Sequence, residues 1–371
     1  MRIPPVKNRL LEVVYFCVIM FVCARAWAEP CHVLVFDFAE RGPGRDHAWV
    51  GPALADAVAS AIDADAQCRA VPHLAVRRYT QNGDPPFERK WELLDAMKAS
   101  AFVEGSYSFK GNAMSFQGTV VRASDSDIQD ISFTLNSFTF DAAQKRLMDV
   151  LVKILKIKLN SGASVLGTNS AKAHETYWKA ESALARGEEK RADALAEEAL
   201  GADPAMAAAC ALRGRIALEA GDYGKAADRL EKCLASNKKY PETLYYLGQV
   251  YAGQKKLAAA REHLREAAEA QPANPLFQWK LGEFYRKSSV LDKALDALQK
   301  AVSLDAALAP AWYEIALIHA HAKNRDKALD NLQKAVRQGG APIADRARTA
   351  PEFEWLRRDT RFFDILRSAP R

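Results

Sequence analysis

The sequence predicts two structural parts: an α+β domain with a mixed β-sheet, followed by an all-α solenoid of helical hairpins. Between about residues 173 and 340, small residues recur every 34 positions at three fixed phases. Such a period indicates stacked hairpins, because two antiparallel helices cross closely only where neither carries a bulky side chain. Before this region, short apolar runs alternate with segments of helical spacing, which predicts the order β-α-β-α-β-β-β-α.

The chain begins with the features of an export signal. Basic residues precede an apolar run over residues 13–24, and the small residues Ala26 and Ala28 follow it. This pattern predicts a signal peptide over residues 1–28, cleaved after Ala28. The apolar run is shorter than the roughly 20 residues that span a bilayer, although an uncleaved signal anchor is the alternative. We therefore expect a periplasmic chain without a transmembrane segment after cleavage, associated with the membrane only through a partner or through that anchor.

The charge of the chain does not indicate a nucleic-acid or anionic-membrane surface. Lys and Arg number 52, and Asp and Glu number 46. Residues 1–28 contain four of the basic residues and one of the acids, so the mature chain has a net charge of about +3. We expect no nucleic-acid partner.

Residues 29–159 are predicted to form the α+β domain. Strands are expected near residues 32–38, 68–74, 101–109, 114–123 and 128–140, and helices near residues 50–62, 87–99 and from Asp141, the expected N-cap. Helical crossovers between the first three strands imply parallel pairing, and the short turns between the last three imply an antiparallel meander.

Two stretches of this domain resemble the TolB amino-terminal-like family. Residues 33–62 resemble its opening strand and helix, and residues 99–125 resemble its strand-turn-strand unit. The resemblance is one of pattern and carries no catalytic motif. It implies an interaction or assembly module of exported bacterial proteins. Residues 160–172, mostly small and polar, are predicted to be a linker that permits hinge motion.

Five hairpins are predicted over residues 173–340. The three small-residue phases are Ala180, Gly214, Gly248, Gly282 and Ala316; Ala192, Ala226, Ala260, Ala294 and Ala328; and Ala199, Cys233, Ala267, Ala301 and Ala335. This pattern resembles the tetratricopeptide repeat (TPR) family. Residues 341–371 are predicted to cap the last hairpin, with Phe353, Leu356, Phe362 and Leu366 covering its apolar edge.

The TPR resemblance implies a concave surface lined by the first helix of each hairpin. Aromatic residues recur at one inward phase, where they suit an extended peptide or an inserted helix, and charges of both signs lie nearby. The predicted groove comprises Tyr177, Tyr245, Trp279, Tyr313, Arg215, Glu283, Arg286 and Lys287. The alternative is that the aromatic residues only pack between repeats.

The cysteines suggest one disulfide. Cys31 and Cys68 are each expected to begin one of two neighbouring parallel strands. Such strands lie about 4.8 Å apart, within the roughly 4.4–6.8 Å Cα separation of a disulfide. Two free buried thiols are the alternative. Cys210 and Cys233 are predicted to be core residues without a disulfide, because Cys233 occupies a small-residue packing phase.

The sequence offers no catalytic constellation. The seven histidines are scattered, and no third ligand is spaced to join His319 and His321. We therefore expect no enzyme activity, no metal and no cofactor. The patterns favour an exported, non-catalytic scaffold or adaptor that binds a protein or peptide in the cell envelope. The alternative is an accessory subunit that captures a ligand or partner for an envelope transport or secretion assembly.

Overall fold

The computed structural model describes residues 31–42, 47–63, 68–79, 85–123, 127–155, 170–236 and 240–370. The predicted signal peptide and most of the predicted linker lie outside the described residues. Within them, a mixed-sheet domain is followed by consecutive helical hairpins, which confirms the predicted fold class.

The N-terminal domain is built on one sheet with the strand order β3-β1-β4-β5-β6. Its strands are β1 (Cys31–Val35), β2 (Ala39–Glu40), β3 (Cys68–Ala70), β4 (Ala101–Lys110), β5 (Ala113–Arg122) and β6 (Ile128–Leu135). Strand β1 pairs in parallel with β3 and β4, and the short β2 pairs in parallel with β4. Strands β4, β5 and β6 form the expected antiparallel meander.

Helices cover both faces of this sheet. They are α1 (Val50–Asp63), α2 (His73–Arg77), α3 (Phe87–Ala96) and α4 (Phe140–Leu155). Val33 and Val35 pack in the cluster that contains α1 and α4, whereas Leu34 and Phe36 pack in the cluster that contains α3. Side chains alternate between the two faces of a strand, so this division follows directly from the sequence of β1.

Three local predictions in this domain are wrong. The strand predicted over residues 128–140 ends at Leu135, because the chain turns there before the helix that begins at Phe140. The strand predicted over residues 68–74 ends at Ala70, because Pro72 has no N–H for the ladder and directly precedes α2. Asp141 is not the N-cap of α4, which begins at Phe140. Instead, the Thr139 Oγ1 accepts a hydrogen bond from the Ala142 N–H at 3.3 Å, so a threonine caps this helix.

In the described residues from 170 onward, the helical part forms five antiparallel hairpins. Their paired helices are α5 (Ala171–Ala185) and α6 (Glu189–Ala202); α7 (Ala207–Glu219) and α8 (Tyr223–Ser236); α9 (Pro241–Gly253) and α10 (Leu257–Ala270); α11 (Pro275–Lys287) and α12 (Leu291–Leu304); and α13 (Ala309–His321) and α14 (Arg325–Thr349). Each small-phase residue is buried. A Cβ added to Gly248 would lie 2.5 Å from the Leu264 Cγ, so the close crossing has no room for a side chain.

The C-terminal segment closes the open end of the array. Helix α14 is interrupted at Gly340, whose φ of 62° suits glycine, and a 3₁₀ turn (Pro351–Leu356) and α15 (Thr360–Arg367) follow. The four predicted cap residues are all buried. They pack in one cluster with the last hairpin, as a cap requires.

The two domains pack against each other. Helix α1 contacts α5, and a single apolar cluster contains Leu151 of α4 together with Ala173 and Trp178 of α5. The rings of Phe140 and His174 also meet, with centroids 5.0 Å apart. This packing argues against the hinge motion that the linker composition suggested.

Candidate functional site

Three of the four aromatic residues predicted to line the groove are packing residues. Tyr177, Tyr245 and Tyr313 are only 8%, 8% and 3% exposed. Neighbouring elements cover their rings: Tyr245 packs on Phe277 with centroids 4.8 Å apart, and Tyr313 on Phe353 at 6.1 Å. For these three tyrosines the burial therefore favours the alternative stated above, packing between repeats, over an exposed groove.

Trp279 differs from the tyrosines because it is only half-buried. Its indole N–H has no hydrogen-bond partner among the described residues, and the Lys280 Nζ lies 4.1 Å from the ring centroid. Glu283 bonds Lys280 at 2.8 Å and the exposed Lys287 at 2.7 Å. These four residues of α11 form a surface that we call the Trp279 patch.

The remaining predicted groove charges join structural elements. Arg286 forms an ion pair with Glu314 of α13, and its Nη1 lies 3.6 Å from the Glu352 Oε1 in the capping segment. Burial raises the pKa of Glu314, whereas Arg286 opposes that shift. Arg286 thus holds neighbouring hairpins and the cap together. The structure gives no reason to assign it to partner binding.

Arg215 belongs to a buried cluster that joins the two domains. The Glu181 Oε2 accepts hydrogen bonds from the Arg77 Nη1 of the N-terminal domain at 2.8 Å and from the Arg215 Nη2 at 2.9 Å. The Tyr177 hydroxyl donates to the other oxygen at 3.1 Å. Burial alone would raise the pKa of Glu181. The positive charges and hydrogen bonds of Arg215 and Arg77 outweigh the effect of burial and lower this pKa to about 2. We call this group the Glu181 cluster.

A second contact between the domains lies near the other end of the array. Asp305, between α12 and α13, pairs with Arg78 and accepts a hydrogen bond from the Tyr79 hydroxyl at 2.9 Å. The Ala306 N–H also donates to the Ala96 carbonyl at 3.0 Å. The N-terminal domain therefore touches the first hairpin, the loop between the fourth and fifth hairpins and, through the Arg89–Gln338 hydrogen bond of 3.4 Å, the fifth hairpin.

Between these two contacts lies a cavity of about 620 Å³, which we call the interdomain cavity. The N-terminal domain contributes Asp56 and Arg77 to its wall, and the array contributes residues of its first four hairpins. Aromatic and acidic side chains are prominent among the latter: Tyr177, Trp178, Glu181, Tyr240, Glu242 and Tyr246. The volume lies within the roughly 300–1,000 Å³ range of small-molecule sites.

The array contains a disulfide that the sequence reasoning missed. Cys210 of α7 and Cys233 of α8 are bonded, with Cα atoms 5.7 Å apart, so the prediction of simple core packing is wrong. The small residues at this repeat position allow the two helices to approach closely. A disulfide requires the same short Cα–Cα distance. Cys68 is also disulfide-bonded, and the β1–β3 register places the backbone of Cys31 directly opposite it. The Cys31–Cys68 pairing stays a prediction.

Sequence reasoning did not find the Glu181 cluster or the interdomain cavity. One signal was present: Glu181 lies one 34-residue period before Arg215, so opposite charges occupy the same phase of neighbouring repeats. Nothing in the sequence indicates that Arg77, 104 positions before Glu181, joins them.

No group of three or more His, Cys, Asp or Glu side chains that could hold a metal ion occurs among the described residues. None of the helices in the described ranges is long and apolar enough to cross a bilayer.

The fold and these contacts define a two-domain protein whose helical array is a hairpin solenoid. Residues 217–281, from the second to the fourth hairpin, match the tetratricopeptide repeat family. That match lies within the array, so the resemblance of residues 29–159 to the TolB amino-terminal-like family stays a prediction.

Several solved structures are similar to part of this chain. YrrB, "a TPR protein with an unusual peptide-binding site", is 26% identical, covering 49% of this chain and 94% of its own, with a TM-score of 0.39. MamA from Desulfovibrio magneticus RS-1 is 21% identical over 48% of this chain and 98% of its own, with a TM-score of 0.39. A thermophilic TPR protein from Thermus thermophilus is 21% identical over 49% and 98%, with a TM-score of 0.42. No curated protein matches the chain.

Proposed function

We propose that this chain is an exported, non-catalytic scaffold or adaptor of the bacterial cell envelope that binds a protein or peptide through its TPR-type array. The observation that carries the proposal is the Trp279 patch. It combines the partly exposed ring of Trp279 with the exposed Lys287 beside it, although the indole nitrogen itself is buried. Tryptophan is enriched among the residues that dominate binding energy, since it offers a large rigid apolar surface.

Two features support export to an oxidising compartment. The first is the signal-peptide pattern of residues 1–28. The second is the Cys210–Cys233 disulfide, since structural disulfides persist in the periplasm and are rare in the cytosol. In this proposal the TolB-like domain serves as an assembly module that is held against the array.

The test is capture of partners from a native envelope fraction by the wild-type chain and by Trp279→Ala. Losing a central hot-spot aromatic costs about 2 kcal/mol or more of binding, of order thirtyfold in affinity. Trp312→Ala is the matched control, because Trp312 is also half-buried, lies in the next hairpin and donates its N–H to the Ala306 carbonyl at 2.8 Å. We expect Trp279→Ala to lose the captured partner and Trp312→Ala to retain it. If the Trp279→Ala chain is folded and captures the same partner equally well, the proposed role of the Trp279 patch in binding is contradicted.

A second candidate function is an accessory subunit that captures a ligand for an envelope transport or secretion assembly. The observation that favours it is the interdomain cavity, which has the size of a small-molecule site. Co-purification separates the two candidates. Membrane transport components would favour the accessory subunit, and soluble or peptidoglycan-associated partners would favour the scaffold.

A further inference from the structure

Two carboxylates from different domains line the interdomain cavity. Asp56 lies on α1 of the N-terminal domain, with its Oδ2 3.8 Å from the His174 Nε2, and Glu242 lies in the first turn of α9. The Glu242 Oε2 is buried and has no hydrogen-bond partner among the described residues. Burial raises the pKa of Glu242 to about 7; hydrogen bonds from its own backbone N–H and from Tyr240 oppose this shift, and the negative charge of Asp56 adds to it.

The arginines of the cavity wall do not neutralise Glu242. Arg77 and Arg215 both donate to Glu181, and Arg215 also pairs with Glu219 at 3.4 Å. The other two cationic residues of the wall, at positions 69 and 98, are exposed to solvent. A buried carboxylate oxygen without a donor is unfavourable, so a ligand that supplies a positive donor would gain binding energy here.

Much of the rest of the wall is aromatic and aliphatic, and polar side chains such as His32, Gln271 and Asn274 complete it. Tyr177, Tyr240 and Tyr246 line the cavity together with Ala208 and Leu212. Tyrosine faces attract cations, and the aliphatic side chains favour an apolar body. The site is therefore suited to a molecule that is positive at one end and apolar at the other.

We propose that the interdomain cavity binds a small organic cation, a primary amine with an aromatic or aliphatic body, whose ammonium group lies between Asp56 and Glu242. An ammonium group carries three donors, enough for both carboxylates and one further acceptor. The donor set favours an amine over a hard metal ion such as Ca²⁺, which takes six to eight oxygen ligands. No cluster of three metal-ligating side chains exists in the described parts of the chain.

This proposal depends neither on the compartment nor on the protein partner. Because one carboxylate comes from each domain, the bound cation would join the domains and stabilise their packed arrangement. The same chemistry is present in a free amine and in the amino terminus of a short peptide, and the experiment distinguishes these two sources.

Isothermal titration calorimetry of the full chain at pH 7.5 tests the proposal with three probes: 2-phenylethylamine, its neutral analogue 2-phenylethanol, and the peptide Phe-Gly-Gly. We expect the amine to bind at least tenfold more tightly than the alcohol. Tighter binding of the peptide would identify an amino terminus as the source of the cation, and weaker binding would identify a free amine. Equal binding of amine and alcohol, or no amine binding at millimolar concentration, overturns the proposal.

The variant Glu242→Gln keeps the shape of the side chain and removes its charge. We expect it to weaken binding of 2-phenylethylamine at least tenfold, whereas Glu262→Gln, in the exposed face of α10, should leave affinity unchanged. Undiminished binding to Glu242→Gln contradicts the proposed contact. The comparison of amine with alcohol uses the wild-type chain and stands even if a variant fails to fold.

Discussion

Glu181 shows how one residue can serve both the array and the contact between domains. Glu181 and Arg215 occupy equivalent positions in the first and second repeats. Because neighbouring repeats stack, this spacing brings the two opposite charges together. The Glu181 side chain is 4% exposed, and its charge persists only because Arg215 and Arg77 both bond it. Removing the carboxylate would deprive two mostly buried guanidinium groups of the acceptor that they share.

We predict that Glu181→Gln destabilises the protein by about 3 kcal/mol at pH 7, since a folded-state pKa of about 2 lies well below the ordinary value of 4.5. In the wild type this contribution is complete above pH 4.5 and is lost as the pH falls toward 2. Urea unfolding at several pH values measures both effects. The variant should show a weaker pH dependence in this range.

The matched control is Glu188→Gln in the same hairpin, where Glu188 pairs with Arg186 and Arg191 at the surface. Surface ion pairs contribute about 0–1 kcal/mol, so we expect a small change. Equal destabilisation of the two variants would contradict the structural role of the Glu181 cluster.

At the residue scale, the sequence predicts small side chains better than aromatic ones. A small-residue phase follows from helix crossing alone, and these residues are buried as expected. The repeat position of an aromatic residue predicts only the side of the helix from which its side chain projects. Whether Tyr245 or Tyr313 is exposed depends on Phe277 in the next repeat and on Phe353 in the cap. Trp279 keeps some exposed surface, and the period does not distinguish it from the tyrosines.

The helical hairpin is the element on which the array depends, and its crossing point is its most sensitive position. Gly214, Gly248 and Gly282 each face a leucine of the partner helix, at a distance that leaves no space for a Cβ. The boundaries of N-terminal strands were less predictable, because Pro72 ends the pairing of β3 early. Helix pairs thus follow from their period, whereas short strands also depend on local backbone chemistry.

We predict that Gly248→Leu destabilises the array by at least 1–3 kcal/mol, the cost of extra methylenes in a packed core. The added side chain would collide with Leu264. Thermal unfolding followed by circular dichroism should show a lower midpoint. Gly201→Leu is the control, since Gly201 is also helical and its added Cβ would meet no atom within 4 Å. Similar midpoints for Gly248→Leu and the wild type would contradict the close crossing.

We also predict two disulfides in protein isolated from its native compartment, Cys210–Cys233 and Cys31–Cys68. The first joins α7 to α8, and the second would join β1 to β3 at residues that already pair in register. Each disulfide closes a loop and so lowers the conformational entropy of the unfolded chain. This effect stabilises the folded state by roughly 3–4 kcal/mol. Non-reducing peptide mass mapping checks both. Alkylation of all four cysteines without reduction would contradict both the pairings and the proposed oxidising compartment.

At the scale of the whole molecule, the N-terminal domain contacts the array at two places and leaves a cavity between them. Arg77 and Glu181 form the first contact, and Tyr79 and Asp305 form the second. The partners are 104 and 226 positions apart. No periodicity or motif relates positions so far apart, and composition suggested only a flexible linker. The order of the domains was therefore predictable, whereas their docking and the interdomain cavity were not.

In the proposed function, a partner binds the array at the Trp279 patch. Site-specific photo-crosslinking in the native envelope tests it, with p-benzoylphenylalanine in place of Lys287 in the patch or Lys232 on α8. Both lysines are well exposed, at 63% and 74% of their side chains, so the two probes are equally able to reach a neighbour. We predict a cross-linked partner from position 287 that is weak or absent from position 232. Cross-links from position 232 with none from position 287 would contradict the claim.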